Sequence, residues 1–474
     1  MHRLLIFGVS TLALLTASPS LAQNAASPAQ GPTVEALLRL LVQEGVVSQV
    51  KADALYAAAA AETVSPTPTI IAAAPPTTIA ASAVASAPAG HADPGLKVDW
   101  GGGAPEFSGD GFRFKPRGRI LADLSTTTGS DFAARNLTAT GARAIRLGFE
   151  GGVGNRLFYQ VEADFSESVV GVTSAYVGWR DRLFDHPVEV SLGQRLSERG
   201  IEGSTGSDAT PFLERNVIGT ALVPQKGFFG LGVMGKVYGD NWHLTAQVAG
   251  DDLDDDAASR DTLTFMQRGH WNPVKTDTAI LHLGAWGFQE QFPANAPIIS
   301  RNTAIGGRFN DRLRLSSGPL GAPDRGSGYG LELGGVWRNV WAFAEGGVRS
   351  LDYRDGVAST QFDAFSLSAG WFVTGDKPGY SPRIGAWSQP KVKRPVFDGG
   401  SGALELLARW ERLDYTDAPL GGEGHATTLG GNWYLNDFTR LMLNTIFWDI
   451  DNTSGVFDRQ DKGTTITARA QVSF

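Results

Sequence analysis

The sequence predicts an all-β protein: a sixteen-stranded antiparallel transmembrane β-barrel behind a short N-terminal helical hairpin and a Pro/Ala linker. Three observations carry this. No stretch beyond the N-terminus approaches the ~18 apolar residues of a membrane helix. Period-two alternation recurs from about Phe112 to Phe474. Gly (59 residues) and aromatics (10%) are frequent, charged residues are sparse (19%), and Cys is absent.

Composition narrows the function classes. Zero Cys excludes disulfide scaffolds, Cys-ligated zinc and thiol catalysis. A net charge of −8 argues against a nucleic-acid partner.

Residues 1–22 read as a signal peptide. His2 and Arg3 precede an apolar core from Leu4 to Ala17, and Ser20-Leu21-Ala22 offers a cleavage site. Residues 23–63 hold a helical hairpin, with Leu37, Leu38, Leu41 and Val42 as its first apolar stripe, Gly45 as the break and Ser48 as the second cap. It serves as a spacer or as a periplasmic contact. Residues 64–107 are an Ala/Pro/Thr-rich linker. The barrel occupies 108–474.

The last strand shows the barrel pattern best. Ile466, Ala468, Ala470, Val472 and Phe474 share one face, and Thr465, Thr467, Arg469, Gln471 and Ser473 the other. Tyr159 to Phe165, Trp242 to Val248 and Leu404 to Glu411 repeat it. The count of sixteen comes from alternating short and long connections. Short turns fall near 151–155, 181–186, 239–241, 272–276, 338–339 and 436–438. Long loops fall near 128–140, 196–228, 251–261, 290–327, 352–360, 416–425 and 452–463. The connection at 167–170 is short for its side, and 376–401 is long for its side. A possible strand at 304–315 goes inside a long loop to keep parity. Sixteen strands leave an aqueous channel, so the expected activity is passive diffusion and no enzyme is expected.

Several cations fall on inward faces: Arg117, Arg119, Arg146, Arg195, Lys236, Arg268, Arg349, Arg409 and Arg469. A row of cations in a narrow lumen attracts anions, and the planar guanidinium fork suits phosphate. The competing reading pairs each Arg with an acid on the opposite wall. Arg301, Arg308, Arg312 and Arg314 make the loop 290–327 net basic. Arg383, Lys391, Lys393 and Arg394 do the same for 376–401. The loop 196–215 is net acidic: Glu198, Glu202, Asp208 and Glu214 face only Arg199 and Arg215.

Other patterns carry less. Gly230 to Lys236 spells a near P-loop, but Val237 replaces the Ser/Thr and the context is a strand. The Asp run at 251–256 reads as a solvated loop. The histidines lack metal spacing, and neither a hydrolytic triad nor a cofactor motif is visible.

Six segments, in order, resemble the phosphate-selective porin O and P family: Lys115 to Arg119, Arg146 to Gly151, Tyr159 to Phe165, Phe212 to Asn216, Thr374-Gly375-Asp376 with Leu404 to Trp410, and Gly431 to Asn436. The resemblance implies a homotrimeric bacterial outer-membrane porin, surrounded by outer-membrane lipid and passing small anions such as phosphate or polyphosphate. It also implies two long extracellular loops and one periplasmic segment folded into the lumen. That agrees with the long connections at 196–215, 290–327 and 376–401. Two departures stand out. The family's constriction loop is basic and this one is acidic. Where the family tends to carry adjacent arginines, Arg143 is followed by Ala144. The expectation is a general anion preference. The alternatives are a differently selective porin or a structural outer-membrane protein with periplasmic contacts.

Overall fold

The computed structural model describes residues 96–253, 261–354 and 356–474, all within the unit His91–Phe474. The expected signal peptide and helical hairpin lie outside them.

Sixteen strands close into a barrel. They are β1 (Phe112–Thr128), β2 (Thr138–Val153), β3 (Leu157–Asp164), β4 (Gly171–Leu183), β5 (His186–Leu196), β6 (Phe229–Tyr238), β7 (Trp242–Ala249) and β8 (Leu263–Lys275). The second half is β9 (Ala279–Gln291), β10 (Pro323–Trp337), β11 (Val340–Tyr353), β12 (Thr360–Phe372), β13 (Ala403–Asp414), β14 (Glu423–Asn436), β15 (Thr439–Asn452) and β16 (Arg459–Ser473). Every neighbour pair is antiparallel. The seam joins β16 to β1, with Ser473 opposite Arg119 and Thr464 opposite Thr128. Closure leaves no unpaired edge, the condition for strands in lipid.

The period-two pattern fixes which face meets lipid. On β16, Ile466 and Val472 are exposed outward while Thr465, Thr467, Arg469 and Gln471 are buried inside. On β13, Leu404, Leu406 and Trp410 point out, and Glu405, Leu407, Arg409 and Glu411 point in. Trp179, Trp271, Trp337, Trp371 and Trp433 are exposed near the same rim, each close to the end of its strand. They form an aromatic girdle at one membrane boundary. The rim beyond them carries tight turns. Phe184 and Asp185 both take positive φ (47° and 64°), the geometry of a two-residue hairpin turn.

Residues 97–107, assigned to the linker by composition, are folded. Lys97–Gly101 pairs with Ala104–Gly109, and the latter pairs with β1 at Phe112–Phe114. The start of β1 extends past the end of β16, so it offers an open edge there. The hairpin covers that edge. Gly118 sits where the chain ends: a Cβ there would lie 2.6 Å from the Phe474 ring.

Three connections enter the lumen. The loop 197–228 enters it and contains one short helix, α1 (Val217–Ala221). Asn216 caps α1 by accepting from Gly219 N at 2.9 Å. The connection between β9 and β10 contains a two-stranded ladder, Ser300–Ala304 with Arg314–Pro319. The possible strand at 304–315 is instead the turn of that small hairpin: only its ends, Ala304 and Arg314–Leu315, lie in strands, and the whole hairpin sits inside the loop. The segment 373–402 also turns inward, and its Trp387 N donates to Thr205 Oγ1 of the first loop at 3.0 Å. Apolar side chains bond these pieces to the wall. Val217, Ile218 and Leu222 of the first loop join Leu313 and Leu315 against Phe288, Phe362 and Trp448. Ile201 and Phe212 join Tyr380 and Trp387 against Trp341 and Phe343.

Candidate functional site

The acidic loop decides the electrostatics of the lumen, and the wall answers each of its four carboxylates. Glu198 contacts Lys236 and lies 2.7 Å from His243 Nε2 and 3.7 Å from Arg268. Glu202 lies 3.2 Å from Arg409. Asp208 contacts Arg119. Glu214 lies 3.0 Å from Arg143 and 3.2 Å from Arg469. Burial pushes the Glu198 carboxyl upward, but Lys236, His243 and Arg268 more than reverse this and hold it well below the usual range. Burial wins at Glu202, whose pKa is raised despite Arg409. The loop's negative charge is therefore spent on anchoring.

Consequently the expected pathway residues separate into groups. Lys236, Arg268 and Arg409 are buried anchors of the loop. Arg268 also holds Glu332 through two bonds, at 2.9 and 2.7 Å, and donates to the Ile384 carbonyl at 2.8 Å. Arg349 pairs with Glu290 at 2.8 Å, and Arg469 with Asp123 at 2.7 Å, all four side chains being essentially dry.

Arg117, Arg119 and Arg146 meet around Glu162, at 3.1, 3.1 and 3.3 Å. Arg117 also pairs with Glu150, and Arg146 with Asp164. Arg195 stacks 4.6 Å over Tyr176 and lies 4.0 Å from Glu189. Arg117, Arg146 and Arg195 keep water contact, at 27%, 12% and 17% exposure, while Arg119 is buried.

The basic loops are dispersed. Arg301 donates to the Val223 carbonyl at 2.5 Å, and Arg312 to Ala134 at 3.0 Å. Arg314 folds back on the carbonyls of Arg308, Asn310 and Leu313. Arg308 lies 3.3 Å from Glu167 and is 39% exposed. In the segment 373–402, Arg383 lies over Tyr238 at 4.1 Å. Lys393 is tied to the Gly375 carbonyl, and Lys391 and Arg394 are exposed without an ion pair among the described residues.

Four guanidinium groups converge on a cavity of about 260 Å³: Arg143, Arg146, Arg215 and Arg308. Ser166, Thr173 and Phe228 share its lining with Asp164, Glu167 and Asp252. At about 30 Å³ per water, this space admits a hydrated small ion. Two of the four lay outside the expected pathway set. Strict alternation places Arg143 beside outward Ile145. In the fold, Ala144 pairs with Leu121 and Ala142 with Ala122, so Arg143 is the extra residue of a β-bulge. The bulge re-aims it inward. The only sequence trace is a parity slip between Ile145 and the outward run Thr138, Thr140, Ala142.

Arg215 counts in the sequence as one charge of an acidic loop. Its Nε donates to the Glu202 carbonyl at 2.9 Å, it also meets the Thr205 carbonyl, and it lies 4.9 Å over Phe228. It makes no carboxylate bond among the described residues. Burial, assisted by Arg143 and Arg199, lowers its pKa to about 9, so it remains charged at neutral pH.

Comparison with known proteins agrees with this architecture. The family described as phosphate-selective porin O and P matches residues 114–474. An uncharacterised protein of Caulobacter vibrioides is 27% identical over 451 residues, spanning 91% of this chain and 87% of that one. Among solved structures, the outer-membrane-expressed OmpT of Vibrio cholerae superposes with a TM-score of 0.50 at 12% identity, over 77% of this chain and 99% of that one. An anion-selective porin from Comamonas acidovorans gives 0.48 at 14% identity, over 77% and 100%.

Proposed function

We propose, for a chain that belongs to the phosphate-selective porin O and P family and is therefore a porin of the bacterial outer membrane, that small oxyanions, phosphate among them, are its preferred solutes. The path runs along the hydrated arginines of β1–β5, past Arg308, Arg143, Arg215 and Arg146 and on to Arg117 and Arg195. The observation that carries this is the pairing of all four loop carboxylates with wall cations. An acidic loop would otherwise repel anions. With its charge neutralised in place, the partly hydrated guanidinium groups set the local potential. Arg215 is central because it offers donors without a competing carboxylate. Passage is passive and no bond is made or broken. The homotrimer that the family resemblance implies is carried over as part of this reading.

A second reading has its own observation. Asp164, Glu167 and Asp252 share the cavity with the four arginines, which favours weaker selectivity, extending to solutes that carry both charges. Titrating phosphate against chloride current through single channels separates the two. The first reading expects saturable block that weakens about tenfold, ~1.4 kcal/mol, in Arg215→Ala. Indifference of the chloride current to phosphate would leave the second.

A further inference from the structure

Three imidazoles stack in a row inside the barrel, on neighbouring strands: His243 of β7, His270 of β8 and His282 of β9. Ring centroids are 4.7 Å apart for the first pair and 5.4 Å for the second, the latter nearly parallel at 9°. The function proposed above uses none of them.

Their partners fix where the protons sit. His270 Nε2 meets the Pro382 carbonyl at 2.9 Å, an obligate acceptor, so Nε2 carries the hydrogen. His270 Nδ1 faces His243 Nδ1 in hydrogen-bond contact, so one of the two must donate to the other. His243 Nε2 meets the Glu198 carboxylate at 2.7 Å and donates to it. The two rings therefore share a single positive charge, with the Glu198 carboxylate on the His243 side. At the other end, Tyr380 Oη accepts from Asn272 at 3.1 Å and donates to His282 Nδ1 at 2.7 Å. His282 Nε2 donates to Glu332 at 3.0 Å. His282 is neutral.

Two of these bonds end on one piece of chain. Pro382 and Tyr380 belong to the inward segment 373–402, as do the Ile384 and Gly385 carbonyls held by Arg268. That segment touches the loop 197–228 through Trp387 and Thr205.

We propose that the histidine row is an acid-released latch that fastens the segment 373–402 to the barrel wall. The next proton taken up has two sites, the bare Nδ1 of the His243–His270 pair and His282 Nδ1. At the pair it would set two N–H groups head to head and two imidazolium rings side by side. Lys236 and Tyr238 face the row from β6, and Arg268 faces it from β8 itself. Glu198 of the loop and Glu332 of β10 oppose that positive charge, but both are already engaged, by Lys236 with His243 and by Arg268 with His282. Tyr380 and Arg383 face the row from the segment. Relief comes when His270 turns away, and its bond to Pro382 goes with it. The segment then loosens and the path beside it changes width.

The chain has no cysteine, so a single nitroxide can report on the segment without background. Ser381→Cys is spin-labelled in the full chain, reconstituted in lipid vesicles and compared between about pH 7.5 and about pH 3, because the added proton must enter a row already crowded with positive charge. The label is expected to be immobile at the higher pH and to gain a reversible mobile component at the lower one. In the same background, His270→Gln retains an amide donor for Pro382 and an acceptor for His243, and its label is expected to stay immobile at both. Heat-modifiable gel migration reports whether each variant is folded. A label that stays immobile at acid pH in the parent overturns the latch, as does acid mobilisation of equal size in folded His270→Gln. If His270→Gln does not fold, the parent's own conductance decides. A reversible change of about twofold on acidifying the side of the tight turns supports the latch, and a constant conductance rejects it.

Discussion

Strands β1, β2 and β5 and strands β8, β11 and β16 all line the lumen with arginine beside carboxylate, yet the two sets are hydrated differently. On β8, β11 and β16, Arg268, Arg349 and Arg469 have fully buried side chains, each in a close pair with an equally dry acid. Each also donates to a backbone carbonyl of an inward loop: Arg268 to Ile384, Arg349 to Val223 and Arg469 to Leu213. On β1, β2 and β5, Arg117, Arg143, Arg146 and Arg195 keep between about a tenth and a third of their side chains in water, while Arg119 is buried in its anchor to Asp208. The first set holds loops in place. Under the function proposed above, the second is the set that meets solutes. Inward direction is thus a poor guide to conduction; what covers the charge decides it.

The strongest way to break this contrast is to remove a dry partner. Glu290→Gln leaves the Arg349 guanidinium buried with weakened compensation, and a loss of about 3–5 kcal/mol is expected in urea unfolding of the refolded barrel. Glu150→Gln, facing half-hydrated Arg117 at 2.7 Å, is expected to shift the same midpoint by less than about 1 kcal/mol. Equal losses would erase the distinction. Next in size, Arg143→Ala is expected to cut anion-over-cation permeability several-fold, read from reversal potentials. Arg349→Met with Glu290→Leu, which replaces the dry pair by apolar bulk, should leave permeability unchanged.

Smaller effects sharpen the picture. Glu167→Gln frees Arg308 at the cavity, and about a twofold gain in phosphate block is expected, shrinking in high salt. Lys226 supplies a pH handle. Burial, with Arg199 nearby, pushes its pKa down to about 7, although Glu290, Asp251 and Asp252 oppose this. The unfolded chain keeps the ordinary higher value, so between about pH 7 and about pH 10 it binds the extra proton and the fold gains stability as pH rises. Over the same rise the folded loop loses one positive charge. Anion preference is expected to fall slightly from about pH 6 to about pH 8.5, and Lys226→Met should flatten that slope.

Much of the fold is legible in local pattern. The alternation of β16 alone states which residues meet lipid, and the connection lengths return sixteen strands because a closed antiparallel barrel must alternate its rims. The hairpin at 97–109 is not legible, since it forms only against the overhanging start of β1. The site is read less well for a related reason. Glu214 and Arg469 are 255 residues apart, and Glu202 and Arg409 are 207 apart. Charge counted along one loop cannot reveal partners at such distances, so an acidic segment reads as hostile to anions. Arg143 is hidden by a one-residue bulge that reverses the face on which parity places it.

The measurement closest to the central claim is the zero-current potential of single channels across a KCl gradient at neutral pH. If the wall neutralises the loop's four carboxylates, the potential has the sign of chloride permeating faster than potassium, and Arg215→Ala moves it toward zero. A potential of potassium sign in the unmodified protein would mean that the acidic loop governs the pore after all.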